Sequence, residues 1–210
     1  MTRIPRTAAV LAASAYSALA YPAPAGPASV AADELGEHSI YQLDSPWVED
    51  NGQPLELRRL AGHVQVLALI YTTCTGVCPI LVKELQAFSR DLPADLKDHT
   101  RFLLVTVDPQ HDTIAALRQY RRDMKLDDAR WKLLRGSPAD VRELAAVLGF
   151  NYEQVDSGQF VHSNLVTVLD PRGQIVHQQS GLSGNAEGVV DAIRKARAPP
   201  GPARRESRSH

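Results

Sequence analysis

The sequence has almost no net charge. Its 23 Lys and Arg residues nearly balance its 24 Asp and Glu residues, which leaves a formal charge of −1 at pH 7. A chain without a strong electrostatic field has no general attraction for nucleic acid or for an anionic membrane surface. The composition therefore argues against both of these partners.

The sequence also lacks a strongly apolar run long enough to cross a bilayer at its N-terminus. The uncharged stretch there, residues 7–20, is 14 residues long and rich in alanine, whereas a spanning helix needs about 20 apolar residues. Arg3 and Arg6 precede this stretch, and Ala-Leu-Ala at residues 18–20 ends it. That pattern is typical of a secretory signal peptide. We predict a cleaved signal peptide at residues 1–20, hence export without a stable membrane anchor; an uncleaved anchor is the alternative.

Low-complexity segments bound the rest of the chain. Residues 21–38 are rich in Ala and Pro and predict a flexible leader, and residues 198–210 combine prolines with arginines and predict a disordered tail. Between them, residues 39–197 have a length that suits one globular domain. With 44% hydrophobic and 22% charged residues in the whole chain, an ordinary apolar core is expected.

The hydrophobic pattern of this domain predicts an α/β fold. Residues 64–71 and 101–107 are nearly continuous apolar runs, as in strands buried on both faces of a parallel sheet. Short strands at residues 39–43 and 55–57, around an Asn51-Gly52 turn, predict an early hairpin. Further elements follow in order: helices at 79–92, 113–124, 140–148 and 188–197, a strand at 131–134, and a hairpin of 165–169 with 174–177.

This order of elements favours a thioredoxin-like sandwich. Parallel strands joined by helical crossovers, then an antiparallel hairpin and a last helix, give a central mixed sheet with flanking helices and an N-terminal hairpin extension. A flavodoxin-like doubly wound sheet is the rival fold. The closing hairpin and the position of the cysteines argue against that rival.

The chain has only two cysteines, Cys74 and Cys78. They follow the apolar run at residues 64–71 and lie where the next helix begins. Sites in open α/β sheets gather at the carboxyl ends of strands, and a helix N-terminus favours thiolate over thiol. Thiolates both bind metals and attack disulfides, so the placement indicates chemistry without selecting one kind.

The spacing of the cysteines leaves several interpretations open. Three residues separate them, whereas two are usual in a thioredoxin-type redox pair. The wider loop can close into a disulfide or hold two sulfurs around a metal. A purely structural disulfide would constrain only a small loop, and a zinc site would lack a fourth protein ligand.

His162 is the histidine that topology brings nearest to the cysteines. It precedes the strand at residues 165–169, which we expect to run antiparallel to the cysteine-bearing strand. The start of an antiparallel strand lies beside the end of its neighbour, so the loop around His162 should adjoin Cys74 and Cys78. It is either a metal ligand or a surface histidine without a partner.

Three motifs resemble those of the Sco/SenC family. Residues 71–79 (YTTCTGVCP) resemble its T-x-C-x-x-x-C-P motif, and residues 107–113 (VDPQHDT) match V-D-P-x-x-D-T. Residues 161–163 (VHS) precede a hydrophobic strand and a D-P-x-G turn, as in that family. The three matches occur in the right order and span most of residues 43–181.

This resemblance implies a periplasmic metallochaperone rather than an enzyme. It implies that Cys74, Cys78 and His162 are copper ligands, for Cu(I) and also for Cu(II), and that the two cysteines form a redox disulfide. The implied partners are the subunit of cytochrome c oxidase that holds the dinuclear copper centre, or another cuproprotein, and a thioredoxin-like reductant. The chain departs from the family at Thr75-Gly76, where many members have Pro-Asp. We also expect it to lack the membrane anchor that many members carry.

Other functions remain as alternatives. A thiol–disulfide oxidoreductase acting on the cysteines of a copper-site partner needs the same fold and the same dithiol, but no histidine ligand. A thiol peroxidase is disfavoured, because its P-x-x-x-T-x-x-C pattern fails at both cysteines: Tyr71 stands in the proline or the threonine position. Asp108 is expected to orient His162 or a partner, or to serve as a further ligand of Cu(II), and His111 is an adventitious ligand at most.

Overall fold

The structure is a computed structural model that describes residues 35–154, 160–162, 164–182 and 185–197. Nine strands are described: Trp47–Glu49 (β1), Pro54–Leu55 (β2), Val64–Ile70 (β3), Thr100–Thr106 (β4), Trp131–Arg135 (β5), Tyr152–Gln154 (β6), Phe160–His162 (β7), Leu165–Leu169 (β8) and Ile175–Ser180 (β9). Five α-helices accompany them: Val77–Asp91 (α1), Ala94–Lys97 (α2), Ile114–Met124 (α3), Pro138–Val147 (α4) and Ala186–Arg197 (α5).

Seven of the strands form one mixed sheet in the order β2-β1-β5-β4-β3-β8-β9. Strands β3, β4 and β5 are parallel, and β8 runs antiparallel to β3. Every residue of β3 is buried, as expected for a central strand covered on both faces. The architecture confirms the predicted thioredoxin-like sandwich, including the antiparallel direction of β8.

The helices begin and end largely where the sequence indicates. The Thr113 hydroxyl accepts a hydrogen bond from Ala116 N–H at the start of α3. Ser137 and Asp140 form a reciprocal capping box on α4, and Gly149 follows that helix at a φ of +63°. Helix α1 begins at Val77, two residues before the predicted start at residue 79, so Cys78 belongs to its first turn.

The predicted N-terminal hairpin exists, but one of its strands was predicted wrongly. Residues 39–43 are not a strand, because Ile40–Gln42 form a 3-10 helix whose N-terminal Ser39 hydroxyl accepts from the Tyr41 N–H at 3.1 Å. Around the Asn51-Gly52 turn, β1 pairs with β2 instead. Strand β1 also pairs with β5, which joins the hairpin to the edge of the parallel strands.

Leu57–Leu60 form a second 3-10 helix, so the strand predicted at residues 55–57 ends at Leu55. Three further short elements were not anticipated at all. They are α2 and the two strands of a separate hairpin, β6 and β7, which pair antiparallel outside the main sheet. The predicted signal peptide and almost all of the predicted leader and tail lie outside the described residues. No helix within the described ranges is long and apolar enough to cross a membrane.

Candidate functional site

Cys74 and Cys78 lie at the carboxyl edge of the parallel strands. Strand β3 ends at Ile70, a turn closes with the Cys74 N–H donating to the Tyr71 carbonyl at 3.3 Å, and α1 begins at Val77. The neighbouring strand β4 ends at the same edge, where the Val107 N–H donates to the Ile70 carbonyl at 2.8 Å. The predicted placement of the cysteines between the central strand and the following helix is thus correct.

The two thiols are in contact and not joined by a disulfide. Cys78 is fully buried and Cys74 is 8% exposed. The Cys78 thiol donates a hydrogen bond to the Cys74 sulfur, so the side chains face each other within the turn. The exposed side chains of Val77 and Ile80 flank the pair on the outer face of α1.

The environment shifts the pKa values of the two thiols in opposite directions. Burial works to raise the pKa of Cys74, but hydrogen bonds from the Cys78 thiol, the Cys78 and Gly76 N–H groups and the Tyr71 hydroxyl lower it below its ordinary value. Burial raises the pKa of Cys78 to about 12, helped by the hydrogen bond it donates and by the charge on Cys74. Cys74 is therefore the sulfur that carries negative charge first.

A buried carboxylate anchors the loop that carries the cysteines. Asp112 is fully buried and accepts hydrogen bonds from the Thr72 N–H at 3.0 Å, from the Thr72 hydroxyl, and from the Thr106 hydroxyl. These contacts tie the end of β3 to the end of β4 and to the start of α3. Asp112 directly precedes Thr113, which caps α3, and no local sequence pattern signalled its anchoring role.

Asp108 has a partner that the sequence did not predict, His111. Its carboxylate oxygens both lie 2.9 Å from Nδ1 of His111, and the carboxylate side chain is 6% exposed while the imidazole is 65% exposed. His111 thus lies at the surface over a buried acid. That Asp108 also orients His162, or binds Cu(II), stays a prediction.

His162 is described through its backbone alone. It is the last residue of β7 and pairs with Tyr152 of β6. Three residues later β8 begins, and β8 pairs with β3 through Ala68 and Val166, so its first residues adjoin the end of the cysteine-bearing strand. The chain therefore brings His162 toward the edge of the sheet where the thiols lie, as the predicted topology requires.

The described side chains do not by themselves complete a metal site. Among them, no group of three or more His, Cys, Asp and Glu side chains could hold an ion, and the His162 side chain is not one of those described. Two adjacent sulfurs are nevertheless a suitable partial site for a soft ion such as Cu(I). The three-residue ligand set remains a proposal.

Burial raises the pKa of Tyr120 on α3, and the negative charges of Cys78, Cys74 and Asp112 raise it further. The spacing of Tyr120 from Leu117 follows the helical period, and both residues lie on the buried side of α3. In the structure it is 8% exposed, and its hydroxyl has no hydrogen-bond partner among the described residues. The helical spacing of apolar residues predicts which side chains are buried. It does not predict whether a buried hydroxyl has a hydrogen-bond partner.

A thioredoxin-like domain with a buried dithiol in the turn between its central strand and the next helix places the chain among the thioredoxin-like dithiol proteins. Within that class, the sequence profile of the SCO1/SenC family matches residues 38–198. The match covers most of the chain, so the chain belongs to the SCO1/SenC family. The resemblance of the three motifs is thereby confirmed.

Individual relatives agree with this assignment. A putative copper-binding protein of Stutzerimonas stutzeri is 27% identical over 143 residues, covering 66% of this chain and 68% of that protein. The crystal structure of a putative electron transfer protein from Aquifex aeolicus has a TM-score of 0.69 at 27% identity, covering 76% of this chain and 94% of the other. Yeast Sco1 with copper bound has the same fold, with a TM-score of 0.62 at 21% identity and coverages of 79% and 93%.

Proposed function

We propose that this chain binds copper through Cys74, Cys78 and His162 and delivers it to, or matures, the dinuclear copper centre of cytochrome c oxidase. The observation that carries the proposal is the direct contact between two buried thiols at the start of α1. Two sulfurs held together need little rearrangement to share one ion. Thiolates are soft ligands that select Cu(I).

The charges of the proposed site suit a cargo ion. When Cu(I) binds, each thiol releases its proton, and two thiolates with one neutral imidazole leave a net charge of −1 at the ion. The N-terminal turn of α1, which contains Cys78, offsets part of this charge with its partial positive end. Three ligands leave one side of the ion open, and an acceptor protein can attack it there. Cu(II) would take a further ligand such as water.

The comparisons support the choice of metal and of partner. The relative from Stutzerimonas stutzeri is described as copper-binding, and the yeast structure contains copper. A structural neighbour, BsSco, is described as a member of the Sco family of cytochrome c oxidase assembly proteins. We extend these descriptions to this chain, with another cuproprotein as an alternative acceptor.

The proposed location is the periplasm. Arg3, Arg6 and the alanine-rich run at residues 7–20 have the composition of a signal peptide, which would leave a mature domain between a leader and a tail. An oxidising compartment would convert the dithiol into a disulfide. A thioredoxin-like reductant that supplies two electrons and two protons would then restore both sulfur ligands before copper binds.

A Cu(I) titration of the reduced full-length chain against a competing chelator tests the copper site. We expect one tight equivalent, which Cys74→Ser, Cys78→Ser and His162→Ala each weaken by at least tenfold. His111→Ala is the matched control, because His111 is an exposed histidine beside the same edge of the sheet and should leave the affinity unchanged. Binding that is weak in the wild-type chain, or indifferent to His162, would overturn the proposal.

A transfer experiment tests delivery separately. The copper-loaded chain is mixed with the apo form of the soluble copper-centre domain of the oxidase, and copper on each protein is measured after the two are separated. We expect copper to appear on the acceptor. Tight binding by this chain with no transfer to this acceptor would keep the copper site and move the function to another cuproprotein.

The lowered pKa of Cys74 and the raised pKa of Cys78 favour a second candidate function, that of a thiol–disulfide oxidoreductase. The Cys74 thiolate would attack a partner's disulfide and form a mixed disulfide, and Cys78 would then displace the partner's second sulfur. The partner gains two electrons and two protons, and Cys74 and Cys78 end as a disulfide. In this case His162→Ala would preserve the rate of reduction of a model disulfide, whereas Cys74→Ser would abolish it.

A further inference from the structure

A cleft of about 640 Å³ lies between α1 and α5, and we call it the α1–α5 groove. At one end, the Leu182 N–H just before α5 donates to Glu84 of α1 at 3.3 Å. At the other end, Arg197 of α5 pairs with Asp95 of α2, the helix that follows α1, at 3.1 Å. The two long helices therefore run in the same direction along the groove, and their C-terminal ends lie together.

The α1–α5 groove has an apolar floor and an acidic rim. Phe88, Leu92 and Leu182 are buried beneath it. Four carboxylates line it against one guanidinium, that of Arg194, which leaves a formal charge of −3. The lining carboxylates are those of Glu84, Asp91, Glu187 and Asp191. Such a surface fits a ligand that combines aliphatic carbon with positive charge.

The tail that follows α5 has this complementary chemistry. Residues 198–210 contain Arg204, Arg205 and Arg208 but only one acidic residue, Glu206. An arginine covers apolar surface with its methylene stem and keeps its guanidinium at a polar rim. A segment of this composition cannot form a core of its own. The groove, however, offers it an apolar surface that is already formed.

The length of the tail suits the groove. Helix α5 has 12 residues and is therefore about 18 Å long, whereas the 13 residues of the tail reach about 40 Å in an extended proline-type conformation. The Pro and Gly residues at 199–202 can turn the chain at the end of α5. Residues 203–208 then return along the groove.

The spacing of the charges also agrees. In the extended conformation, Arg204 and Arg208 are about 12 Å apart. Asp91 and Glu84 are seven residues apart on α1, which is roughly 10 Å along the helix axis. Two arginines of the tail therefore reach carboxylates at both ends of the groove.

The predicted leader is a poorer occupant of the groove. Its only charged residues before Leu35 are Asp33 and Glu34, which the acidic rim would repel. The leader also joins the domain elsewhere, because Ser39 pairs with Gln174. Gln174 lies just before β9, and the groove begins just after that strand.

We propose that the tail, residues 198–210, folds back over the α1–α5 groove of its own chain. The arginine stems cover the floor, and the guanidinium groups lie beside the carboxylates of the rim, Arg204 near Asp91 and Arg208 near Glu84. The docked tail ties the last helix of the domain to α1, the helix that carries Cys78. The groove is thus an intramolecular binding site for a basic peptide segment, and its occupation does not depend on copper.

Backbone ¹⁵N relaxation of the reduced, metal-free full-length chain tests this docking. Order parameters near 0.85 indicate rigid backbone, and values below about 0.6 indicate flexible backbone. In the wild type we expect values above about 0.6 for the amides of residues 203–208. Arg204→Ala combined with Arg208→Ala should lower them below that level, because both charge contacts of the tail are lost.

Substitutions in the groove test the same contacts from the other side. Asp91→Asn combined with Glu187→Gln removes two rim charges and should also release the tail. Asp44→Asn combined with Asp123→Asn is the matched control, because it changes the net charge by the same amount outside the lining of the groove. All four carboxylates belong to exposed residues, so we expect the fold to be preserved. The control should leave the order parameters of the tail unchanged.

The contrary outcomes are distinct. Order parameters below about 0.6 in the wild-type tail would overturn the inference. Order that survives the substitutions in the groove would place the tail elsewhere and overturn it as well. Order that is lost on tenfold dilution would show that the tail docks on a second copy of the chain, which contradicts the intramolecular arrangement. None of these measurements involves copper, so their failure would leave the proposed function standing.

Discussion

The carboxylate of Asp112 accepts hydrogen bonds from both the backbone N–H and the hydroxyl of Thr72, two residues before Cys74. Because Asp112 precedes α3 and Thr72 follows β3, this contact fixes the start of the dithiol loop against a separate element of the fold. The geometry of the two sulfurs therefore depends on a residue that is remote in sequence and does not itself bind sulfur.

Replacing Asp112 should destabilise the whole domain. Asp112→Ala leaves the Thr72 and Thr106 donors without their buried acceptor, and we expect the free energy of unfolding to fall by about 3 kcal/mol. Urea denaturation measures this change. Asp123→Ala, on the exposed side of α3, is the control and should cost less than about 0.5 kcal/mol. A loss for Asp112→Ala no larger than that of the control would contradict the anchoring role.

The two thiols should react with an alkylating agent in a fixed order. A lowered pKa gives Cys74 more thiolate at any pH below its ordinary range, and the raised pKa of Cys78 leaves that sulfur protonated until strongly alkaline pH. In the reduced native chain, iodoacetamide at pH 7 should label Cys74 first. Peptide mass spectrometry resolves the two sites.

Two further samples check the cause of this order. In urea, both thiols should react at similar rates, with a midpoint near pH 8.5. In native Cys78→Ala, Cys74 should react more slowly at pH 7, because it has lost the thiol that donates to it. Preferential labelling of Cys78 in the native chain would show that the assigned direction of the hydrogen bond is wrong.

The ion pair between Asp50 and Arg121 should contribute strongly to stability. Arg121 Nε lies 2.5 Å from Asp50 Oδ2 and Nη2 lies 2.8 Å from Oδ1, with side-chain exposures of 12% and 5%. Arg121→Ala would leave the buried carboxylate without its counter-charge, and we expect a loss of about 3 kcal/mol in urea unfolding. Arg122→Ala, its exposed neighbour, should change stability by less than about 0.5 kcal/mol. Equal effects of the two substitutions would refute the assignment.

Gly136 should tolerate no side chain. A Cβ atom there would lie 2.7 Å from the ring of Trp47, which is 1% exposed and packed in the core. We expect Gly136→Ala to lower the melting temperature, with a cost of about 1–3 kcal/mol from the forced displacement of the ring. Gly76→Ala is the control, since a Cβ atom at Gly76 meets nothing within 4 Å. An unchanged melting temperature for Gly136→Ala would show that the ring can move at little cost.

The sequence predicted the elements whose local signals agree with their tertiary setting. The continuous apolar run of β3 is stable only in the middle of a sheet, where both faces are covered. Thr113 and Ser137 mark the starts of helices because their hydroxyls cap the first turn. The turn at residues 170–173 predicted the antiparallel pairing of β8 with β9. These features need no knowledge of distant parts of the chain.

The elements that escaped prediction depend on distant partners. The 3-10 helix Ile40–Gln42 has the composition of a strand, but Ser39 caps it. The strand at that edge of the sheet is β1 instead, which pairs with β5 far along the chain. Likewise, the spacing of Cys74 and Cys78 indicated a dithiol site, whereas Asp112 anchors that loop only through hydrogen bonds to Thr72 and Thr106 formed in the folded chain. A local pattern cannot report which buried atoms lie unpaired or which carboxylate receives several donors.

The unequal burial of the two sulfurs imposes a sequence of events on whatever chemistry occurs there. Cys78 is enclosed completely, and Cys74 retains 8% of its surface. An incoming atom, whether a metal ion, an oxidant or the sulfur of another protein, thus meets Cys74 before it can meet Cys78. Cys74 is thus the outer cysteine of the pair, and Cys78 is the inner one.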